Sequence, residues 1–163
     1  MAFVIIAFLS LIFTFCECKN YGPNVTAPTR FDFGDFMTSN NSQYHAIMQQ
    51  DGNFVIYTGS LADNPNSAKW RTRTNQRSNG PYHIDLQTDN NFVLYDAYQQ
   101  PLWKAKIRRR GVPPAKLALQ NDGNLVLRDS LNKVLWTSKA DLKDVVKVTK
   151  KPKKPKKDNG WND

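Results

Sequence analysis

A nine-residue polar motif occurs three times in this chain, and this regular recurrence constrains the fold more than any other feature of the sequence. The copies are residues 49–57 (QQDGNFVIY), 87–95 (QTDNNFVLY) and 120–128 (QNDGNLVLR). The starts are 38 and 33 residues apart, and a tryptophan follows each copy, at Trp70, Trp103 and Trp136. Repeats of this period indicate equivalent units that bury their apolar faces against one another.

Each copy is predicted to form a β-hairpin. The turn dipeptides accept positive φ and reverse a strand; they are Asp51-Gly52, Asp89-Asn90 and Asp122-Gly123. After the first turn Phe54 and Ile56 alternate with residues of the opposite face, which is the period-two pattern of a half-buried strand. A strand before the turn, one after it, one with the tryptophan and one leading to the next repeat make about four per unit. The chain is therefore predicted to be all-β and pseudo-threefold, with three sheets around a tryptophan core.

The first 18 residues are predicted to be a secretory signal peptide. The apolar run 3–15 has thirteen residues, fewer than the roughly 20 that a membrane span needs, and Cys16-x-Cys18 fits a small-residue cleavage site. The predicted domains are then the signal peptide 1–18, an N-terminal lead-in 19–30, the repeat domain 31–141 and a C-terminal segment 142–163. We expect a secreted, extracellular product with no membrane span and no disulfide, since both cysteines leave with the signal.

Charge and glycosylation signals lie outside the repeated motif. The sequons Asn24-Val25-Thr26 and Asn40-Asn41-Ser42 make Asn24 and Asn40 candidate N-glycosylation sites of a glycoprotein. Seven lysines and no acid lie between Lys147 and Lys157, so the net charge of +9 is concentrated in the tail. Residues 142–163 are predicted to form a final strand through Val145, Val146 and Val148 and then a disordered Lys/Pro-rich end. That end is either simply solvated or docks on polyanionic surfaces, and no nucleic-acid partner is expected.

The motif has the chemistry that recognition of a neutral sugar requires. A sugar offers no charge, so a site must place hydrogen-bond donors and acceptors against its hydroxyls and an apolar patch against its ring carbons. Gln, Asp, Asn and Tyr supply the polar groups, and Val supplies the patch. Turn chemistry alone would explain Asp51 and Gly52, but it does not explain Gln49 or Tyr57 in the same copy.

On this motif, Gln-x-Asp-x-Asn-x-Val-x-Tyr, the chain resembles the bulb-type (monocot, snowdrop-like) mannose-binding lectins over roughly residues 31–141. The resemblance implies the β-prism II fold, with three four-stranded antiparallel sheets, and binding of mannose-containing glycans. It implies that Asp and Asn hold the axial 2-hydroxyl, Gln the 3-hydroxyl and Tyr the 4-hydroxyl, while Val lies against the ring. The carbohydrate-binding residues that it assigns are Gln49, Asp51, Asn53, Val55 and Tyr57 in the first site, and Gln87, Asp89, Asn91, Val93 and Tyr95 in the second. It also implies a homodimer or tetramer formed by exchange of C-terminal strands near residues 134–148.

The third copy departs from the motif at one position. It keeps Gln120, Asp122, Asn124 and Val126, but it has Arg128 where the other copies have Tyr. Arg donates hydrogen bonds but does not accept them, and its head is longer and charged. We expect a degenerate carbohydrate site that is weak or silent, with a preference for an acidic sugar as the alternative.

Metal-dependent binding and catalysis are disfavoured, and one rival function remains. His45 and His83 precede equivalent motif positions of different sheets, so they are predicted to be strand residues, and sugar binding is predicted to need no metal or cofactor. The mature chain offers no nucleophile turn, phosphate loop or isolated carboxylate pair, so it is not expected to be an enzyme. The rival is a structural or adhesive β-prism protein that binds anionic surfaces through its Lys-rich tail, with sugar binding reduced or lost.

Overall fold

The computed structural model describes residues 18–59, 65–107 and 111–139, and in these ranges the chain forms twelve short β-strands and one 3₁₀ turn at Pro65–Ser67. The strands are β1 (Asn24–Thr26), β2 (Thr29–Phe31), β3 (Phe36–Thr38), β4 (Tyr44–Met48), β5 (Phe54–Thr58), β6 (Ala68–Arg71), β7 (His83–Leu86), β8 (Phe92–Tyr95), β9 (Pro101–Lys104), β10 (Lys116–Leu119), β11 (Leu125–Arg128) and β12 (Val134–Thr137). Among these residues no helix is long and apolar enough to cross a membrane. The predicted signal peptide up to residue 17, the predicted strand through Val145, Val146 and Val148, and the lysine run lie outside the described residues.

The strands form three four-stranded sheets, and every pairing between neighbouring strands is antiparallel. We call them the first sheet (β3-β4-β5-β6), the second sheet (β2-β7-β8-β9) and the third sheet (β1-β10-β11-β12). Each copy of the motif spans the hairpin between the two central strands of one sheet. The predicted all-β fold of three four-stranded antiparallel sheets is confirmed.

The fourth strand of each sheet has a different origin from the one expected. It comes from the N-terminal residues 24–38, which give β1 to the third sheet, β2 to the second and β3 to the first. One apolar side chain from each strand is buried in the core, namely Val25, Phe31 and Met37. Each repeat supplies only three strands, so an outside strand must satisfy the backbone groups along the free edges of β4, β7 and β10. The predicted lead-in 19–30 therefore contains β1 and the first part of β2.

The core lies on the pseudo-threefold axis and is aromatic. Trp70, Trp103 and Trp136 form a triangle in which the ring centroids are 5.5–5.7 Å apart and meet edge to face. The residues that follow the three turns, Phe54, Phe92 and Leu125, are fully buried, and the ring of Phe92 contacts Trp103 and Trp136. The predicted tryptophan core is confirmed, and edge-to-face contacts of this kind add to the burial of apolar area.

The hairpin turns join the three sheets in a cyclic order. The turn of the first sheet packs on the second, because the ring of Tyr82 lies 3.0 Å from where a Cβ on Gly52 would be. The turn of the third sheet packs on the first, where Gly123 faces the ring of Tyr44 in the same way. The turn of the second sheet reaches the third through a hydrogen bond from Asn90 Nδ2 to the Gly111 carbonyl, 3.1 Å. All three turn residues have positive φ, as the sequence predicted.

Candidate functional site

The motif residues occupy the outer face of each sheet, opposite the tryptophan core. In the first sheet Gln49 follows β4 and Asp51 is in the turn. Val55 and Tyr57 lie on the face opposite Phe54 and Ile56, although Val55 is itself only 2% exposed. The alternation of a β-strand produces this division. The register then places Ile47 beside Val55 and His45 beside Tyr57, so the motif side chains share one continuous face.

The same hydrogen bonds recur in the first and second sites. Gln49 Nε2 donates to Tyr57 Oη at 2.9 Å, and Gln87 Nε2 donates to Tyr95 Oη at 2.8 Å. In all three copies the motif Asp accepts from the backbone N–H of the motif Asn, at 2.9–3.0 Å. The Asn side-chain amide also faces the second oxygen of that Asp in each copy. The structure thus brings the Gln and Tyr of one copy together, and the Asp and Asn of that copy together.

The first and second sites differ in how far the motif Asn is covered. Asn53 is only 5% exposed, because the chain after β6 passes over it and Thr74 N donates to Asn53 Oδ1 at 2.9 Å. Gln76 N donates in addition to the Asp51 carbonyl at 2.8 Å. Asn91 is half-buried, and its side chain contacts Asp89 alone among the hydrogen bonds of the described residues. The second site is therefore the more open of the two.

A histidine lies beside the tyrosine in each of these sites. His83 is buried and stacks on Tyr95, with ring centroids 5.4 Å apart and an interplanar angle of 22°. Burial lowers the pKa of His83, the Arg30 charge lowers it further, and the carboxylates of Asp85, Asp32 and Asp96 oppose this. His45, in the first sheet, contacts Thr38 Oγ1 at 3.1 Å, and burial also lowers its pKa.

Both histidines belong to strands, β4 and β7, as predicted. Within residues 18–59, 65–107 and 111–139 no group of three or more His, Cys, Asp or Glu side chains could hold a metal ion.

The third site lacks the Gln–Tyr bond. Arg128 Nη1 instead donates to the Asn132 carbonyl at 3.1 Å, in the turn between β11 and β12. Gln120 is exposed, and its side chain has no hydrogen-bond partner in the part of the chain that the structure describes. Asp122 and Asn124 keep the arrangement of the other two copies.

Two grooves border the intact hairpins. One of about 700 Å³ runs between β2 and the second site and is lined by Arg30, Asp85, Gln87 and Asp89 among others. The other, of about 620 Å³, lies between Asp51 and Tyr82 of the neighbouring sheet. The sequence did not indicate Arg30, Thr74 or Tyr82 as site residues, because none of them lies in the motif. Only their positions in the sequence could have pointed to two of them, since Thr74 follows Trp70 closely and Tyr82 precedes the second motif.

No protein-family model matches the sequence, and no curated protein does. Solved structures do match the fold. A monomeric monocot mannose-binding lectin from Gastrodia elata is 28% identical, with a TM-score of 0.59 over 71% of this chain and 96% of that chain. The lectin from Allium sativum is 29% identical, with a TM-score of 0.55 over 66% and 94%. The mannose-specific agglutinin from snowdrop, Galanthus nivalis, solved in complex with methyl-α-D-mannoside, is 24% identical, with a TM-score of 0.55 over 66% and 90%.

The fold and the three outer-face motifs define a protein with the β-prism II architecture of the bulb-type lectins. All three of these neighbours are lectins, and those from Gastrodia elata and snowdrop are described as mannose-binding or mannose-specific. The resemblance inferred from the motif is thus confirmed by structure. These neighbours are carbohydrate-binding proteins rather than enzymes, and their likeness to this chain supports assignment as a lectin.

Proposed function

We propose that this protein is a secreted lectin that binds mannose or mannose-rich glycans through its first two sites, without a metal ion and without catalysis. One observation supports this most strongly. The Gln–Tyr bond and the Asp–Asn arrangement have the same geometry in two separate sheets, although the residues between and around them differ. The similarity to lectins whose structures are described as mannose-binding supports the choice of sugar.

The hydrogen-bond pattern leaves the right groups available for hydroxyls. Because Tyr95 Oη accepts from Gln87, its own proton is free to donate, and Gln87 Oε1 is free to accept. Asp89 Oδ1 is held by the Asn91 backbone, so the carboxylate is fixed in place beside the Asn91 amide. An acceptor next to a donor matches a hydroxyl, which both donates and accepts. Val93 is the apolar member of the motif on this face, but it is only 3% exposed and so offers ring carbons little surface.

Binding at one such site should be weak. A shallow site for one sugar ring typically has a dissociation constant on the order of millimolar, about −4 kcal/mol. Two sites on different sheets of one chain, or more in a homodimer or tetramer, can raise the apparent affinity for a branched glycan by roughly 10² to 10⁴. We therefore expect clear retention on dense mannose surfaces and weak binding of the free sugar. The more open second site should contribute more than the first.

Removal of single hydroxyl groups tests the two sites with little effect on the fold. Tyr57→Phe and Tyr95→Phe each delete one phenolic oxygen, and Tyr98→Phe is a matched control because Tyr98 is 67% exposed and outside the motif. We expect each motif variant to weaken binding of methyl-α-mannoside at its own site by roughly 3- to 10-fold, the value of one hydrogen bond. Tyr98→Phe should bind as the unmodified protein does. Equal binding by all four proteins would refute the assigned sites.

The Lys-rich tail supports a second candidate function. Seven lysines between Lys147 and Lys157 favour adhesion to polyanionic surfaces by a prism that no longer binds sugar. A mannose-agarose column separates the two hypotheses. Elution by free mannose at constant salt supports the lectin, whereas elution by salt alone supports the adhesive protein.

Secretion and glycosylation are further parts of the proposal. Asn24 and Asn40, the two candidate acceptors, are both exposed, as an attached glycan requires. Mass spectrometry of protein secreted by a eukaryotic host, before and after enzymatic deglycosylation, tests both residues and the site of signal cleavage.

A further inference from the structure

The third sheet differs from the other two at two paired positions. The register pairs His45 with Tyr57 in the first sheet and His83 with Tyr95 in the second. At the same place the third sheet pairs Lys116 with Arg128. Both aromatic residues of the pair have therefore been replaced by cations. The sequence showed the change at Arg128, but only the strand register shows that Lys116 lies directly opposite it on the same face.

Two like charges in direct cross-strand positions destabilise a sheet unless something compensates them. The described residues provide little compensation. Neither Lys116 nor Arg128 forms a salt bridge in this part of the chain, and the strand beside Lys116 carries Thr26 opposite it. The acid of the motif, Asp122, lies in the turn at the other end of the hairpin and already contacts Asn124.

The cationic pair lies in line with a retained half of the motif. Asp122 and Asn124 keep the geometry that they have in the first two sites, so one end of the face can still meet neutral hydroxyls. At the other end the Arg128 guanidinium is held by a single bond to the Asn132 carbonyl. A guanidinium has five N–H donors, so most of them remain for a ligand. Gln120, between the two ends, is exposed and has no partner among the described side chains.

We propose that the third face binds a hexose that carries a phosphate group, with the phosphate between Lys116 and Arg128 and the ring toward Asp122 and Asn124. The forked guanidinium matches two phosphate oxygens, and the lysine adds a point charge. This inference rests on the proposed lectin function, because the ring is placed by the same motif. It assigns the third site a different ligand class from the neutral sugar of the first two.

The test is a titration that resolves the three faces, made on the full chain. Bacterial expression keeps Asn24 free of glycan, which matters because Asn24 pairs with Ala118 on this same face. Amide NMR shifts of ¹⁵N-labelled protein are followed with mannose 6-phosphate, methyl-α-mannoside and inorganic phosphate. We expect mannose 6-phosphate to shift the amides of residues 116–128 with an affinity at least about 10-fold above that of the other two probes. That affinity should fall as salt is raised.

Matched variants test whether binding of mannose 6-phosphate depends on the third face or only on the net charge of the protein. Lys116→His with Arg128→Tyr restores the pair present in the other two sheets, and it should abolish the preference for mannose 6-phosphate at this face. Lys19→Gln with Arg77→Gln also removes one lysine and one arginine, and it should keep the preference. Both are exposed; the Lys19 carbonyl accepts from Phe36 N of the first sheet, and Arg77 N donates to the Thr74 carbonyl after β6. The tail is the same in all these proteins, so its lysines cannot produce the difference.

Three results would overturn the inference: equal shifts from mannose 6-phosphate and methyl-α-mannoside, equal shifts from inorganic phosphate alone, or an unchanged preference in the Lys116/Arg128 variant. A different result would refute the lectin proposal itself: methyl-α-mannoside would then produce no amide shift at Asn53 or Asn91.

Discussion

Asn53 and Asn91 occupy the same position of the motif, but their replacement by Ala should lower the stability of the fold by different amounts. Thr74 is fully buried, and its N–H donates to Asn53 Oδ1 at 2.9 Å. Asn53→Ala leaves that donor unsatisfied in the interior, which costs about 1–3 kcal/mol of unfolding free energy. Asn91 has no such role, since its amide contacts only Asp89 at the surface. Asn91→Ala should cost less than about 1 kcal/mol.

Urea unfolding followed by tryptophan fluorescence measures both variants, because Trp70, Trp103 and Trp136 lie in contact at the centre of the fold. With an m-value of roughly 2 kcal/mol/M for a domain of this size, a loss of about 2 kcal/mol lowers the midpoint by about 1 M. Asn124→Ala is a second control, as its amide also contacts only the motif Asp. If the three variants lose the same stability, the inference that the hydrogen bond from Thr74 to Asn53 stabilises the first site is wrong.

Three further perturbations address the turns, the buried histidine and the tail. Gly123→Ala should destabilise the fold by about 1–3 kcal/mol more than Gly59→Ala in urea unfolding. Both have positive φ, but a Cβ at 123 would lie within 2.6 Å of the Tyr44 ring while one at 59 meets open space; equal losses would contradict the turn contact. Because burial holds the folded-state pKa of His83 below 6.5, unfolding free energy should fall as pH decreases below about 6.5 and level off below the folded pKa. His83→Gln should reduce this dependence, and an unchanged slope would assign it to other groups. Deletion of residues 147–163 should abolish salt-sensitive retention on heparin, and unchanged retention would exclude the tail as the anion-binding element.

The repeated motif predicted most of the fold because its signals are local. The turn dipeptides, the alternation through Phe54 and Ile56 and the recurring tryptophans each act within one hairpin or one sheet, so the sequence was sufficient to place them. The leading strands β1, β2 and β3 were not predicted, since each has three residues and a single buried apolar side chain. A pattern that short has no measurable period.

The residue types of the motif predicted the chemistry of the sites, but they did not predict how exposed each side chain is. The motif placed Asn53 and Asn91 in equivalent roles, and their hydrogen bonds to Asp51 and Asp89 agree with that. The difference in exposure arises from Thr74, which lies outside the motif and reaches Asn53 only after the chain has folded back. The pairing of Lys116 with Arg128 likewise depends on strand register, which the sequence alone does not give.

The leading strands have a consequence for the order of folding during synthesis. Residues 24–38 leave the ribosome before any of the three repeats, but β1 pairs with residues 116–118, close to the end of the described chain. The third sheet therefore cannot close until nearly all of the domain has been made. Long-range pairing of this kind slows folding and leaves unpaired strand edges exposed for longer. Nascent chains of this protein should accordingly depend on chaperones until the last repeat emerges.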